Sequence, residues 1–183
     1  MKPQIKTPRT NLVVLGPRRA HLLRDYYACN RAHLAPWEPA RNERFYSLEH
    51  WWEATKANVA SSHSGSALHF AAMNNDCSEV VGVCNLTNIS HGVFQACNLG
   101  YSIGQHHQGT GLMKEVVEAC VGFAFSTLAL HRVMANYMPA NARSEALLMS
   151  LGFEKEGVAK AYLKIAGRWE DHVLTSKINP NAA

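Results

Sequence analysis

Two periodicities of apolar residues run through the chain, and each predicts one kind of element. Steps of three and four predict a long helix after residue 112, because they place side chains on one helix face. The apolar positions of that helix are Met113, Val116, Val117, Cys120, Val121, Ala124, Phe125 and Leu128. Runs rich in β-branched and aromatic residues predict strands at 10–15, 68–73, 79–86, 94–103 and 131–137. Other helices are predicted at 17–30, from 47 to a serine-rich loop at 61–66, and at 142–151, before a closing hairpin that turns at Ala166-Gly167.

The order of these elements predicts one mixed sheet. Three strands between 68 and 103 follow one another through short links, which indicates an antiparallel meander. The long helix then leads to the strand at 131–137, and a crossover of this length pairs two strands in parallel. We therefore expect an α/β (α+β) fold: a mostly antiparallel sheet with a central parallel pair, flanked by helices. The 183 residues are expected to form one domain, 1–183, with 1–8 and 179–183 as flexible tails.

A loop with two glycines joins the third strand of the meander to the long helix; it reads Gln108-Gly109-Thr110-Gly111-Leu112-Met113. The first turn of a helix has free N–H groups and a partial positive charge, and glycines leave no Cβ in front of them. Such a loop is typical of a phosphate site. It is not a P-loop, and Lys114 replaces the third glycine of a dinucleotide-binding loop. The alternative is an ordinary turn ahead of a core helix.

Composition narrows the class of protein without identifying it. Hydrophobic residues make up 47% and charged residues 17%, which is typical of a globular core, and the formal charge is +4. No apolar run is long enough to span a membrane, and five cysteines without a Cys-x-x-Cys pair indicate reduced thiols. We expect a cytoplasmic protein with no membrane association. The ten histidines have no metal-ligand spacing, so we expect no metal. The mild positive charge favours acidic partners such as coenzyme phosphates or a ribosome.

A second motif follows the last predicted parallel strand. Asn141 is a good N-cap for the helix at 142–151, and Gly152 is a good stop. Together with the glycine loop, about thirty residues earlier in the chain, this segment resembles the two coenzyme A segments of the GNAT acetyltransferase superfamily. Met113 departs from the small residue usual at the last position of the loop motif.

The resemblance covers almost the whole chain and is closest to the GNAT enzymes that acetylate the N-terminal alanine of ribosomal proteins. The motifs that carry it are Pro36-Trp37-Glu38-Pro39, Gly100-Tyr101-Ser102-Ile103-Gly104, the glycine loop, Ala135-Asn136-Tyr137-Met138-Pro139 and Gly152-Phe153-Glu154-Lys155-Glu156-Gly157. It implies that the two parallel strands splay apart around acetyl-CoA, the co-substrate. The amides of residues 109–113 would hold the pyrophosphate of acetyl-CoA. Main-chain groups of the third meander strand would bind the pantetheine arm. The implied coenzyme residues are Tyr101, Ser102, Ile103, Gln108, Gly109, Thr110, Gly111, Leu112, Met113, Asn136, Asn141 and Ser144.

Two residues are candidates for catalysis. The resemblance implies a hydroxyl beside the coenzyme sulfur, and Ser144 fits this position; the alternative is that Ser144 is a second capping hydroxyl. Glu38 lies in a loop that lines the acceptor side in the family and could take a proton from the amine, or it could be an ordinary solvated glutamate. An N-terminal amine has a pKa of about 8, so it needs no strong base. Asn136 could orient a carbonyl or a water.

The resemblance therefore implies transfer of acetyl from acetyl-CoA to the N-terminal amine, expected to be alanine, of a small-subunit ribosomal protein. One alternative is an acetyltransferase of the same fold that acts on a small amine; a narrow acidic pocket would favour it. The other is a ribosome-assembly factor whose acetylation is incidental.

Overall fold

An eight-stranded mixed sheet organises the molecule in a computed structural model that describes residues 3–181. The strands are Gln4–Lys6 (β1), Asn11–Val14 (β2), Leu68–Met73 (β3), Val80–Ser90 (β4), Ala96–Ile103 (β5), Arg132–Tyr137 (β6), Glu154–Ile165 (β7) and Arg168–Ile178 (β8). They lie in the order β1-β2-β3-β4-β5-β6-β8-β7, and only β5 and β6 are parallel among the described strands. The predicted meander, crossover and mixed sheet are confirmed.

Helices cover both faces of this sheet. They are Ala20–Cys29 (α1), Arg31–Leu34 (α2), Leu48–Ser64 (α3), Leu112–Ser126 (α4) and Ala142–Ser150 (α5), with 3₁₀ turns at Pro17–Arg19, Glu43–Tyr46 and Gln105–His107. One core lies under α4 and α5 and contains most of the apolar face predicted for the long helix, from Met113 to Ala124. A second core lies under α1 and α3. Because side chains alternate along a strand, each face of the sheet contributes to a different core.

Helix α3 runs farther than the sequence pattern suggests. Its N-cap is Ser47, whose Oγ accepts from the main-chain N–H of His50 at 3.1 Å, as a capping serine does. The serine-rich stretch predicted as a loop continues the helix to Ser64, and Gly65 ends it with φ of +73°. Trp52 is 49% exposed, whereas Trp51 is buried. Adjacent helix positions point in directions about 100° apart, so only one of the two tryptophans can face the core.

The two parallel strands separate before they end. Pairing of β5 with β6 extends from Ala96 opposite Arg132 to Leu99 opposite Ala135. Beyond that point β5 continues to Ile103 and β6 to Tyr137 without further pairing between them. The expected splay is therefore present, and it opens toward the loop that precedes α4.

Both predicted tails are partly ordered. Residues 4–6 form β1, which pairs with β2, so the flexible tail expected at 1–8 is wrong for this part. At the other end, the Asn179 main-chain N–H donates to His131 O at 2.8 Å. Residues 1, 2, 182 and 183 lie outside the described residues. No helix in the described part of the chain is long and apolar enough to cross a membrane.

Candidate active site

The loop before α4 forms an open cradle of main-chain amides. Gly109 and Gly111 both have φ of +74°, a left-handed conformation that glycine adopts without steric cost. Between residues 3 and 181, the main-chain N–H groups of Gly109, Gly111 and Met113 find no hydrogen-bond acceptor. A Cβ built on Gly109 would meet nothing within 4 Å, so the space in front of the cradle is open. The cradle therefore fits a phosphate group at the positive end of α4.

Main-chain groups of β5 face the splay at alternate positions. The Gly104 N–H donates to Val81 O of β4 at 2.9 Å, and Ser102 lies opposite Val83. Because N–H and C=O directions alternate along a strand, Tyr101 and Ile103 turn theirs toward the gap beside β6. This arrangement supports the expectation for Tyr101 and Ile103 as partners of an extended amide chain. The main-chain groups of Ser102 face β4 instead of the gap. The Ser102 hydroxyl forms a hydrogen bond with the Tyr26 hydroxyl at 2.9 Å.

A pair of hydroxyls links β5 to α5 just beyond the last paired residues of β5 and β6. Tyr101 Oη lies 2.6 Å from Ser144 Oγ, so the first turn of α5 is joined to β5. The Ser144 hydroxyl is therefore not the cap of α5; Asn141 Oδ1 caps the helix by accepting from the Ser144 main-chain N–H at 3.1 Å. Asn141 thus has a structural role at the coenzyme segment. Burial raises the pKa of Tyr101 to about 12, so its phenol keeps its proton at neutral pH.

Glu38 lies in a partly buried position in the loop that follows α2. Its side chain is 19% exposed, and burial raises the pKa of the carboxyl although Arg41, at 3.8 Å, lowers it. Its negative charge contributes to the raised pKa of Tyr26 and Tyr27, after burial, so it lies near both phenols. This environment differs from that of a solvated loop glutamate. A carboxyl with a raised pKa is a better proton acceptor at neutral pH than an ordinary one.

Gln108 connects the cradle to both sides of the splay. Its Oε1 accepts from Arg143 Nη1 at 2.6 Å, which leaves its amide nitrogen to donate to His33 Nε2 at 3.1 Å. His33 Nε2 is also 3.2 Å from Ile103 O. One ring nitrogen cannot accept and donate at once, so the bond from Gln108 leaves the Ile103 carbonyl available to another donor.

Asn136 contacts the β7–β8 hairpin. Its Nδ2 lies 3.4 Å from the hydroxyl of Tyr162 on β7, and Tyr162 packs against the buried His172 of β8. The tip of this hairpin reaches the Glu38 loop, where the Ala166 N–H donates to Glu38 O at 2.9 Å. The sequence did not indicate Tyr162 or His172, because their strands contact the site only through tertiary packing.

Comparisons with known proteins show the family to which the chain belongs. A model of the acetyltransferase (GNAT) domain matches residues 12–154. The chain is 46% identical to the ribosomal protein uS5-alanine N-acetyltransferase of Escherichia coli K12 over 181 residues, 98% of this chain and 93% of that protein. The chain belongs to the GNAT acetyltransferase family.

Solved structures of other GNAT acetyltransferases have the same fold. The ribosomal-protein-S5-alanine acetyltransferase of Vibrio fischeri is 35% identical, with a TM-score of 0.93 and 99% of both chains covered. RimJ of Mycobacterium smegmatis, in complex with a coenzyme A disulfide, is 25% identical, with a TM-score of 0.89 over 99% of this chain and 90% of that one. The family prediction is confirmed along nearly the full chain.

The residues of this GNAT acetyltransferase fit coenzyme A. The unpaired amides of the cradle suit a diphosphate, and the unpaired edge of β5 suits the amides of a pantetheine arm. Within residues 3–181 there is no group of three or more His, Cys, Asp or Glu side chains that could hold a metal ion.

Proposed function

We propose that this chain transfers acetyl from acetyl-CoA to the N-terminal amine of a ribosomal protein, with alanine as the first residue and the uS5 protein as the substrate. The observation that carries this proposal is the 46% identity, over 98% of the chain, to an enzyme named for that reaction. The site adds a chemical reason: its candidate base is Glu38, a carboxyl whose pKa is raised by burial. An amine with a pKa of about 8 suits such a site better than a lysine at about 10.4.

Each part of the site has one task in this proposal. The coenzyme supplies the acetyl group as a thioester. The amides of Gly109, Gly111 and Met113 hold its diphosphate, and the Tyr101 and Ile103 main chain lines its pantetheine arm. Glu38 accepts the proton of the amine, directly or through water. The Ser144 hydroxyl, oriented by Tyr101, donates a hydrogen bond to the departing thiolate.

Competing acceptors test the substrate assignment. The enzyme is incubated with acetyl-CoA and a peptide that begins with alanine, the same peptide with a blocked N-terminus and a free internal lysine, or spermidine. We expect acetylation of the first peptide alone, measured as thiol release and located by mass spectrometry. Faster acetylation of spermidine would contradict the N-terminal assignment in favour of a small amine, and equal acetylation of the lysine would contradict it as well.

A survey of protein N-termini extends the test to the cell. We propose that the enzyme acts in the cytoplasm, where ribosomal proteins are made. Cells without the enzyme should lose acetylation of the uS5 N-terminus and regain it with the active chain. Normal uS5 acetylation in its absence, together with defective ribosome assembly, would instead favour an assembly factor with incidental acetylation.

A further inference from the structure

A rigid turn at the start of the chain presents one arginine to the coenzyme cradle. Thr7 and Thr10 are both buried, and their hydroxyls are 2.7 Å apart. The Thr10 N–H donates to the Thr7 hydroxyl at 2.9 Å, and the Thr7 N–H donates to Thr10 O at 2.9 Å. These bonds fix the two residues between them, Pro8 and Arg9. The position of Arg9 is therefore set by the turn, although its side chain is 46% exposed.

Arg9 is bonded on one side to α4 and on the other to the cradle. Its main-chain N–H and its Nε donate to the two carboxylate oxygens of Glu115, at 2.9 and 2.7 Å. Burial opposes ionisation of Glu115, but hydrogen bonds from Thr7 and Arg9 outweigh it and lower the pKa. Nη1 of Arg9 donates to Thr110 O at 2.9 Å. The guanidinium thus bridges the first turn of the helix and the loop before it.

The bond to Thr110 determines which way a cradle amide points. The C=O of Thr110 and the N–H of Gly111 belong to one trans peptide group, so they point in opposite directions. Because the carbonyl is held toward Arg9, the Gly111 N–H is turned away from it, into the open side of the cradle. Nη2 of Arg9 lies 3.9 Å from the point where a Cβ of Gly111 would stand, and it has no partner among residues 3–181.

We propose that Arg9 is a positioning residue for the diphosphate of the coenzyme. It holds the Thr110–Gly111 peptide in the orientation that binds an anion, through the charge-assisted bond from its Nη1 to Thr110 O. Glu115 orients the guanidinium, so the pair acts on the coenzyme through the loop. This inference deepens the coenzyme part of the proposed function and does not depend on the identity of the acceptor.

Coenzyme titration by calorimetry tests the proposal without acetyl transfer. Arg9→Ala should weaken binding of coenzyme A and of dephospho-coenzyme A equally, each by about tenfold, as expected for the loss of a charge-assisted hydrogen bond. Arg9→Lys keeps the charge but cannot reach Thr110 and Glu115 together. Its affinity for coenzyme A should lie between that of the unmodified enzyme and that of Arg9→Ala. In kinetics, KM for acetyl-CoA should rise with kcat nearly unchanged, while kcat/KM for S-acetylpantetheine, which has no diphosphate, should stay that of the unmodified enzyme.

The control is Arg132→Ala, which removes the ion pair with Glu156 at the opposite end of the parallel strands and should leave coenzyme affinity unchanged. If Arg9→Ala lowers only the melting temperature, or weakens S-acetylpantetheine as much as acetyl-CoA, Arg9 is a structural brace and the proposal is wrong. Loss of the effect with dephospho-coenzyme A would also overturn it, because the contact would then be to the 3′-phosphate. Where Arg9→Ala does not fold, Arg9→Lys and Glu115→Gln carry the same comparison. Failure of the acceptor assignment would leave all these binding results intact.

Discussion

At the scale of single residues, the hydroxyl pair of Tyr101 and Ser144 is the feature that the sequence left open. Ser144 had two interpretations, a proton donor or a cap, and the structure assigns the cap to Asn141. A serine hydroxyl released from capping can rotate toward a ligand, but alone it has no fixed direction. The contact with Tyr101 at 2.6 Å supplies that direction. The two hydroxyls should therefore act as one unit.

Substitutions in this pair should be strongly non-additive. Ser144→Ala and Tyr101→Phe should each lower kcat by about a hundredfold or less, the low end for proton donors, since a thiol with a pKa near 8.5 already leaves readily. The double variant should lose no more than the worse single one, because each change disables the same group. Steady-state kinetics of the four enzymes measures this.

Turnover separates this role from capping. Ser144→Ala removes the bond to Tyr101 and Asn141→Ala removes the cap, so each should lose about 1 kcal/mol of stability, but only Ser144→Ala should lower kcat. Additive losses of kcat in the Ser144 and Tyr101 variants, or a fall in kcat for Asn141→Ala equal to that of Ser144→Ala, would show that the hydroxyls are independent or structural.

At the scale of elements, the start of α4 depends on backbone conformation more than on side chains. Gly109 has a left-handed φ and open space around it, so its lack of a side chain is needed for conformation and for ligand approach. Gly65 has nearly the same φ, +73°, and equally open surroundings, but it ends α3 and lies outside the cradle. Comparing substitutions at these two glycines therefore separates the cost of backbone strain from the effect on coenzyme A binding.

Replacing each glycine by alanine should separate the two effects. Both Gly109→Ala and Gly65→Ala should destabilise the fold by about 1–2 kcal/mol, the cost of a left-handed alanine. Only Gly109→Ala should also weaken coenzyme A in calorimetry, because its Cβ would occupy the open side of the cradle. Equal coenzyme affinity of the two variants would mean that the loop is an ordinary turn.

The sequence predicted elements and their order better than it predicted the site. The periodicity of α4 and the β-rich runs of the strands identified the elements, because each pattern reflects burial along a single element. The order of those elements then predicted the mixed sheet. The contacts of Arg9, Tyr162 and His172 with the site could not be found in this way. Each contacts the site from an element distant in the chain, as with Arg9 and Glu115, 106 residues apart. The pairing of Tyr101 with Ser144 also depends on how far β5 and β6 separate.

At the scale of the whole molecule, three separate segments create the environment of Glu38. Its loop follows α2, its main-chain carbonyl is held by the hairpin tip at Ala166, and its charge lies near Tyr26 of α1. Burial among these parts raises its pKa, and Arg41 only partly offsets this. A carboxylate held in this way favours its protonated form in the folded state more than in the unfolded one. Its contribution to stability is therefore present at low pH and lost as pH rises through the raised pKa.

Glu38→Gln should consequently slow the enzyme and not destabilise it. In the unmodified enzyme, kcat/KM should rise a first time as Glu38 deprotonates, at a pH above the ordinary glutamate pKa of about 4.3. It should rise a second time toward pH ~8 as the amine of the substrate loses its proton. The variant should lose the first limb and keep the second. At pH 7.5 it should melt at the same or a higher temperature than the unmodified enzyme, with the difference vanishing at low pH, where both side chains are neutral.

Glu43→Gln is the control for this prediction, because the exposed Glu43 carboxylate has its pKa lowered by Arg31 and lies in the same loop region. It should leave the pH profile unchanged and bring no gain in stability at neutral pH. If Glu38→Gln instead kept both limbs and melted earlier at pH 7.5, Glu38 would be a structural partner of Arg41. The proton of the amine would then leave to solvent, a route open to an N-terminal amine because about a tenth of it is already neutral at pH 7.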